Sequence, residues 1–113
     1  MDAKELRIGN YVCFNNQDDY MKLSQHNFES LIMFNTYDRI NPILLTKHWL
    51  KKLGFKNTYL FSFATEFTCY VDENLNITIE QYSEGRFNLT HIKYVHQLQN
   101  LYFALTGKEL DIN

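Results

Sequence analysis

Apolar and polar residues alternate through the middle of the chain, and the spacing then lengthens to a helical period at its end. Tyr59, Phe61 and Phe63 fall on one side of an extended segment. Phe67, Cys69 and Val71 repeat the pattern, as do Leu75, Ile77 and Ile79. Period-two spacing predicts strands with one covered and one wet face. Asp72-Glu73-Asn74 and Ser83-Glu84-Gly85 read as hairpin turns, and Phe87 and Leu89 close a fourth, short strand. From residue 90 to 110 the apolar positions become Ile92, Val95, Leu98, Tyr102 and Leu105, widened by Tyr94 and Leu101. This predicts one amphipathic helix covering the sheet, with Lys93, Gln97 and Asn100 opposite and Gly107 as its stop. Burying five such side chains is worth on the order of 10 kcal/mol gross, so the helix is expected to be required for folding.

The first half, from Leu6 to Ile43, reads as short strands. Leu6, Ile8 and Gly9-Asn10 lead into Tyr11-Val12-Cys13-Phe14, and Asn15 to Asp19 is a polar turn. Met21-Lys22-Leu23 alternates, and the apolar run Ser30-Leu31-Ile32-Met33-Phe34 is expected as a central strand. Asn35-Thr36 turns into Tyr37 to Ile40. Strands this short and close suggest a small SH3-like barrel or curled sheet.

Between the halves lies a short helix, Thr46 to Leu53. Thr46 can cap it, Leu45 and Leu50 can staple its start, and Gly54 with Phe55 can end it. Trp49, Leu50 and Leu53 share the inward face, while Lys47 and Lys51 face water. The expected fold is α+β: a β-rich part over 1–44, then the short helix, an antiparallel meander and a C-terminal helix over 45–113, forming one domain.

Composition narrows the classes. A chain of 113 residues fits one domain large enough for a core without staples. Nine Phe, eight Tyr and one Trp point to a core built on rings. The net charge of −2 gives no global field to recruit nucleic acid. Cys13 and Cys69 match no ligand spacing and are expected as reduced, buried thiols. Residues 1 to 30 lack a basic start followed by an apolar run, and no stretch approaches membrane-spanning length. A signal peptide and a membrane span are therefore not expected.

Three segments carry a resemblance. They are Glu5-Leu6-Arg7-Ile8-Gly9-Asn10-Tyr11-Val12, then Pro42 to Thr46 with Trp49-Leu50 and Gly54-Phe55, and Tyr94-Val95-His96-Gln97-Leu98-Gln99-Asn100-Leu101-Tyr102-Phe103-Ala104-Leu105-Thr106-Gly107. In this order they resemble a family of small uncharacterised proteins of Bacteroides-type bacteria, their prophages and other mobile elements. The resemblance implies an accessory protein in the bacterial cytoplasm and transfers no catalytic residue. The stretch from Asn15 to Ser30 lies outside the matching segments.

Enzyme chemistry finds no support. His91 and His96 sit about 140° apart on one helix and cannot share a metal. No local signature joins Cys13 to a histidine. Asp18-Asp19 and Asp72-Glu73 fall in turns, where acids bond their own backbone. The four Gly are isolated, so there is no phosphate loop. No cofactor is expected.

Two surfaces remain as candidates. Lys47, Lys51, Lys52 and Lys56 lie within one stretch free of acids, leaving 7 basic against 13 acidic residues elsewhere. They could meet phosphates, or be a solvated helix end favoured by the helix dipole. His96, Gln97, Gln99 and Asn100 form a polar, uncharged helix surface suited to hydrogen bonding with another protein, or simply facing water. The sequence reads as a non-enzymatic module that binds a protein, itself or another. A weak nucleic-acid binder using the lysines is the alternative.

Overall fold

The computed structural model describes residues 5–14, 19–34, 39–55, 60–62 (backbone only) and 67–112. The fold is α+β, with two antiparallel sheets and three helices among the described residues. The N-terminal sheet holds β1 (Tyr11–Phe14), β2 (Tyr20–Lys22) and β3 (Ile40–Asn41), ordered β2-β1-β3. Among the described residues it is an open sheet, with β2 and β3 as its edges. Helix α1 (Gln25–Phe34) joins β2 to β3, and α2 (Lys47–Lys52) follows β3. The second sheet is a meander of β4 (Leu60–Ser62), β5 (Phe67–Val71), β6 (Ile77–Gln81) and β7 (Gly85–Leu89). Helix α3 (Val95–Thr106) ends the chain's regular structure. No helix among the described residues is long and apolar enough to cross a membrane.

The meander follows the alternation over β5 and β6, but Leu75, expected on the strand with Ile77 and Ile79, lies in the turn before β6 at φ 64°, its amide donating to Asp72 O. Cys69 and Val71 pair with Ile79 and Ile77, and all four are buried. Asp72 closes the β5–β6 turn by accepting from the amides of Asn74 and Asn76 at 2.8 and 3.0 Å. The facing of Tyr59, Phe61 and Phe63 lies outside the described residues and side chains.

Helix α2 also matches its local signals. Thr46 Oγ1 accepts from the Trp49 amide at 3.2 Å. At the other end Phe55 N–H donates to Leu50 O at 2.9 Å and Gly54 N–H to Lys51 O at 3.1 Å. This paired ending needs a left-handed residue, and Gly54 supplies it at φ 97°.

Two elements depart from the sequence pattern. The run Ser30 to Phe34 is not a central strand but the C-terminal half of α1. Its nucleus lies upstream: Ser24 Oγ accepts from Asn27 N–H, and Asn27 Oδ1 accepts from Ser24 N–H at 3.1 Å. This reciprocal cap satisfies two amides that a strand would send to a neighbour. The last helix also begins later than residue 90. Residues 43–45 pair in extended form with 93–95: Leu45 N–H donates to Lys93 O at 2.9 Å and Val95 N–H to Ile43 O at 2.8 Å. That pairing holds the chain extended up to Tyr94. Gln97 Oε1 then accepts from the Lys93 and Tyr94 amides and starts the helix.

Strand β1 is a wall shared by two apolar clusters. Its alternate residues Tyr11 and Cys13 face the larger one, which α2, α3 and the meander build. Val12 and Phe14 face a smaller one of Leu6, Leu23, Leu31 and Ile40, with Phe28 and Met21 packed on it. Neither Cys13 nor Cys69 forms a disulfide; Cys69 is buried as expected, Cys13 is only half-buried, and burial pushes the Cys69 thiol up to about 12.

Candidate interaction surface

Helix α1 carries more apolar surface than its sheet can cover. Leu31 and the half-buried Phe28 form the stripe that packs inward. Ile32, Met33 and Phe34 follow in sequence, each turned about 100° from the last. They wrap around the rest of the helix and are 66%, 75% and 69% exposed. Burying each would contribute about 1.5–3 kcal/mol. Contiguous exposed apolar groups of this kind mark interaction surfaces.

A groove of about 600 Å³ opens beside them, with Phe14, Met21, Leu31 and Phe34 as its apolar lining. Asn27 and Arg39 supply polar edges to it. Projecting side chains and a recess that could receive one therefore lie on the same helix, with Phe34 at the edge of the recess. Glu29 on α1 and Arg39 before β3 are both exposed and opposite in charge. The apolar run was legible in the sequence, but its exposure follows only from the helical geometry.

The lysine ridge is divided. Lys47 and Lys51 are exposed on α2. Lys52 lies over the rings of Tyr20 and Trp49, at 4.4 and 4.9 Å from their centroids. That contact holds the ammonium against aromatic faces and binds α2 to β2. Lys56 lies outside the described residues.

The polar residues of α3 do not share an outward surface. Gln99 is fully buried and His96 is 1% exposed. Gln99 works as a clasp between two stretches of backbone, residues 9–11 and residue 110. Its Oε1 accepts from Tyr11 N–H at 2.9 Å, and its Nε2 donates to Gly9 O and Leu110 O at 3.0 and 2.9 Å. Asn100 Nδ2 donates to Glu5 O at 2.8 Å, and Asn100 Oδ1 accepts from Arg7 and Asn10 side chains. The Arg7 guanidinium also pairs with Glu109 and lies 3.9 Å from the Phe103 ring centroid. Gly9 sits at φ 100°, where a Cβ would come within 3.3 Å of Glu109 Oε2. The first and last segments of the resemblance thus meet side by side, and their polar residues hold the chain's own two ends together.

His96 differs from its neighbours. Among the described residues neither ring nitrogen has a hydrogen-bond partner, and the ring stacks on Tyr94 at 6.0 Å. Glu5 Oε1 lies 3.9 Å from Nε2, beyond hydrogen-bond reach. Burial lowers the His96 pKa, and the Glu5 charge opposes that only in part. Below the ordinary value of 6.5 the unfolded chain binds a proton that the folded chain refuses. Stability gained from this site is therefore present above that value and lost as pH falls towards the lowered one. The thermal midpoint is expected to drop between about pH 7.5 and about pH 5.5, and His96→Phe is expected to flatten that slope. Circular-dichroism melts across the window measure it.

Asp111 anchors the C-terminal end. Burial works to raise its pKa, but hydrogen bonds from Lys22 and Tyr11 outweigh it and the net shift is downward. Burial and the Asp111 contact push the Tyr11 phenol up to about 12. Asp72 serves its turn, and Asp18 lies outside the described residues. His26, His48 and His91 are exposed. No group of three or more His, Cys, Asp or Glu among the described residues could hold a metal ion. Comparison with family models, curated proteins and solved structures finds no match for this chain.

Proposed function

We propose that the protein is a non-enzymatic interaction module whose first partner is a second copy of itself, joined through α1. The observation that carries this reading is the exposed run Ile32-Met33-Phe34 beside an apolar groove. A two-fold contact places the same patch on both partners, so the patch must contain both projection and recess. This one does. The three apolar side chains of each copy, six in all, would supply about 9–18 kcal/mol gross if fully buried, against an association cost of roughly 4–15 kcal/mol; one helix contact buries them only in part, so groove filling must add to it. A weak, concentration-dependent association is the expectation. An accessory role in a phage or mobile element, within the bacterial cytoplasm, is the setting the resemblance implies. The nucleic-acid reading draws less support, because Lys52 is engaged with Tyr20 and Trp49.

The test is the oligomeric state of Met33→Glu beside that of the parent chain. The parent is expected to shift from monomer to dimer across micromolar concentrations by light scattering. The variant is expected to stay monomeric and to melt where the parent melts at concentrations too low for it to dimerise, since Met33 lies in water in the single chain. A parent chain that is monomeric throughout overturns the reading.

A further inference from the structure

We infer that β7 is a docking edge for an extended segment of another protein, one that alternates apolar residues and carries an acid between them. β7 is the outer strand of the meander, and among the described residues no strand pairs beyond it. An outer strand turns part of its N–H and C=O groups away from the sheet, where another extended backbone can satisfy them in series. Folded chains normally guard such an edge with lysine, proline, a bulge, an inward charge or a very short strand. The N-terminal sheet follows that rule. Its edge β2 carries Lys22 and has Lys52 lying over Tyr20, and its edge β3 is two residues long. β7 has none of these guards. It runs five residues in unbroken register with β6, without lysine or proline. Its single charge, Arg86, is on the outward face, where Nε donates to Glu80 Oε2 at 2.6 Å and the guanidinium lies over Tyr70.

The inward face of the same strand is the second observation. Phe87 and Leu89 oppose the buried Ile79 and Ile77, so they point to the side of the core. Helix α3 shields them only in part, and Phe87 is 49% exposed. A groove of about 250 Å³ opens there, walled by Phe67, Ile79, Phe87 and Leu89 from the sheet and by Leu101 and Leu105 from α3. A strand laid beside β7 sets alternate side chains into this groove and the others on the outward face. A helix or a small apolar molecule would fill the groove but leave the backbone edge unpaired. On the outward face the incoming strand meets Arg86, whose side chain is 62% exposed. Among the described residues only its Nε is hydrogen-bonded, so the terminal amino groups remain for a second carboxylate. Groove, edge and charge together select an extended segment with apolar residues at alternate positions and an acid facing outward. No residue of α1 takes part.

The experiment selects binders to the whole chain from a displayed library of random dodecapeptides, then uses the best one as a synthetic peptide. The expected consensus alternates apolar residues and holds an acid at an outward position. On binding, NMR hydrogen exchange is expected to slow at amides within residues 85–89. A peptide methylated on the backbone nitrogens that face β7 loses its donors and is expected not to bind. Phe87→Lys puts a charge at an inward edge position and is expected to weaken binding about tenfold or more. Arg86→Gln is expected to weaken it about two- to fivefold, the value of a cross-strand ion pair. Melting temperatures report whether both variants keep the fold. Should Phe87→Lys unfold, the methylated peptide and the exchange pattern decide. Four results overturn the inference: selected peptides without the alternation, undiminished binding of the methylated peptide, undiminished binding by folded Phe87→Lys, or protection that falls outside β7. Protection of residues 85–89 that appears without peptide as the chain is concentrated would also overturn it, because the occupant would then be a second copy.

Discussion

Gln99→Leu is expected to cost on the order of 3–5 kcal/mol of stability, although leucine nearly matches glutamine in volume. The amide at this position serves Tyr11 N–H, Gly9 O and Leu110 O at once. Leucine would leave all three backbone groups buried beside an apolar side chain. Each such orphan costs about 1–3 kcal/mol, and partial access of water reduces the sum. Against a total of roughly 5–15 kcal/mol this is most of the margin of a weak domain. Urea denaturation is expected to show a midpoint far below that of the parent, with its slope unchanged. Gln99→Glu should also destabilise: its carboxylate still accepts from Tyr11 but faces two carbonyl oxygens. A parent-like midpoint for Gln99→Leu would show that α3 does not hold the N-terminal segment in this way.

Leu98→Asp is expected to prevent folding altogether. Leu98 is completely buried in the larger cluster, one turn from Val95 and against the meander. Aspartate there loses the apolar transfer and places a carboxylate among side chains that cannot pair with it. Changes of this kind exceed about 4 kcal/mol, beyond what the domain can lose. The contrast with Met33→Glu is instructive. Both replace an apolar helix residue by an acid, yet only the first side chain is inside. The expected circular dichroism is that of an unfolded chain for Leu98→Asp and of the parent for Met33→Glu.

Elements whose signals are local were legible in the sequence. Thr46 and Gly54 mark the two ends of α2 within nine residues, and the structure uses both. Alternation over Phe67 to Val71 and Ile77 to Ile79 describes a sheet covered on one face, and the buried residues Cys69, Val71, Ile77 and Ile79 follow it. Elements decided by distant partners were not legible. The run Ser30 to Phe34 has no period of its own, and its helical state is set by the Ser24–Asn27 cap before it. The start of α3 is set by residues 43–45, some fifty positions earlier. Gln99 reads as a wet helix position because amides normally face water. Its burial makes sense only once the backbone at Gly9 and Tyr11 is laid against it. The candidate surface followed the same logic. Sequence patterns identified the apolar run, but only the fold showed that its sheet covers Leu31 and leaves Ile32, Met33 and Phe34 outside.

The central claim is that two copies meet through α1, and isotope-filtered NMR tests it at the contact. A sample mixing methyl-labelled and unlabelled chains isolates contacts that cross between copies. The account predicts cross-copy signals from the Met33 methyl to Phe14 and Met21 in the groove, lost in Ile32→Lys. A dimer without these signals, or with signals from another face, would contradict it.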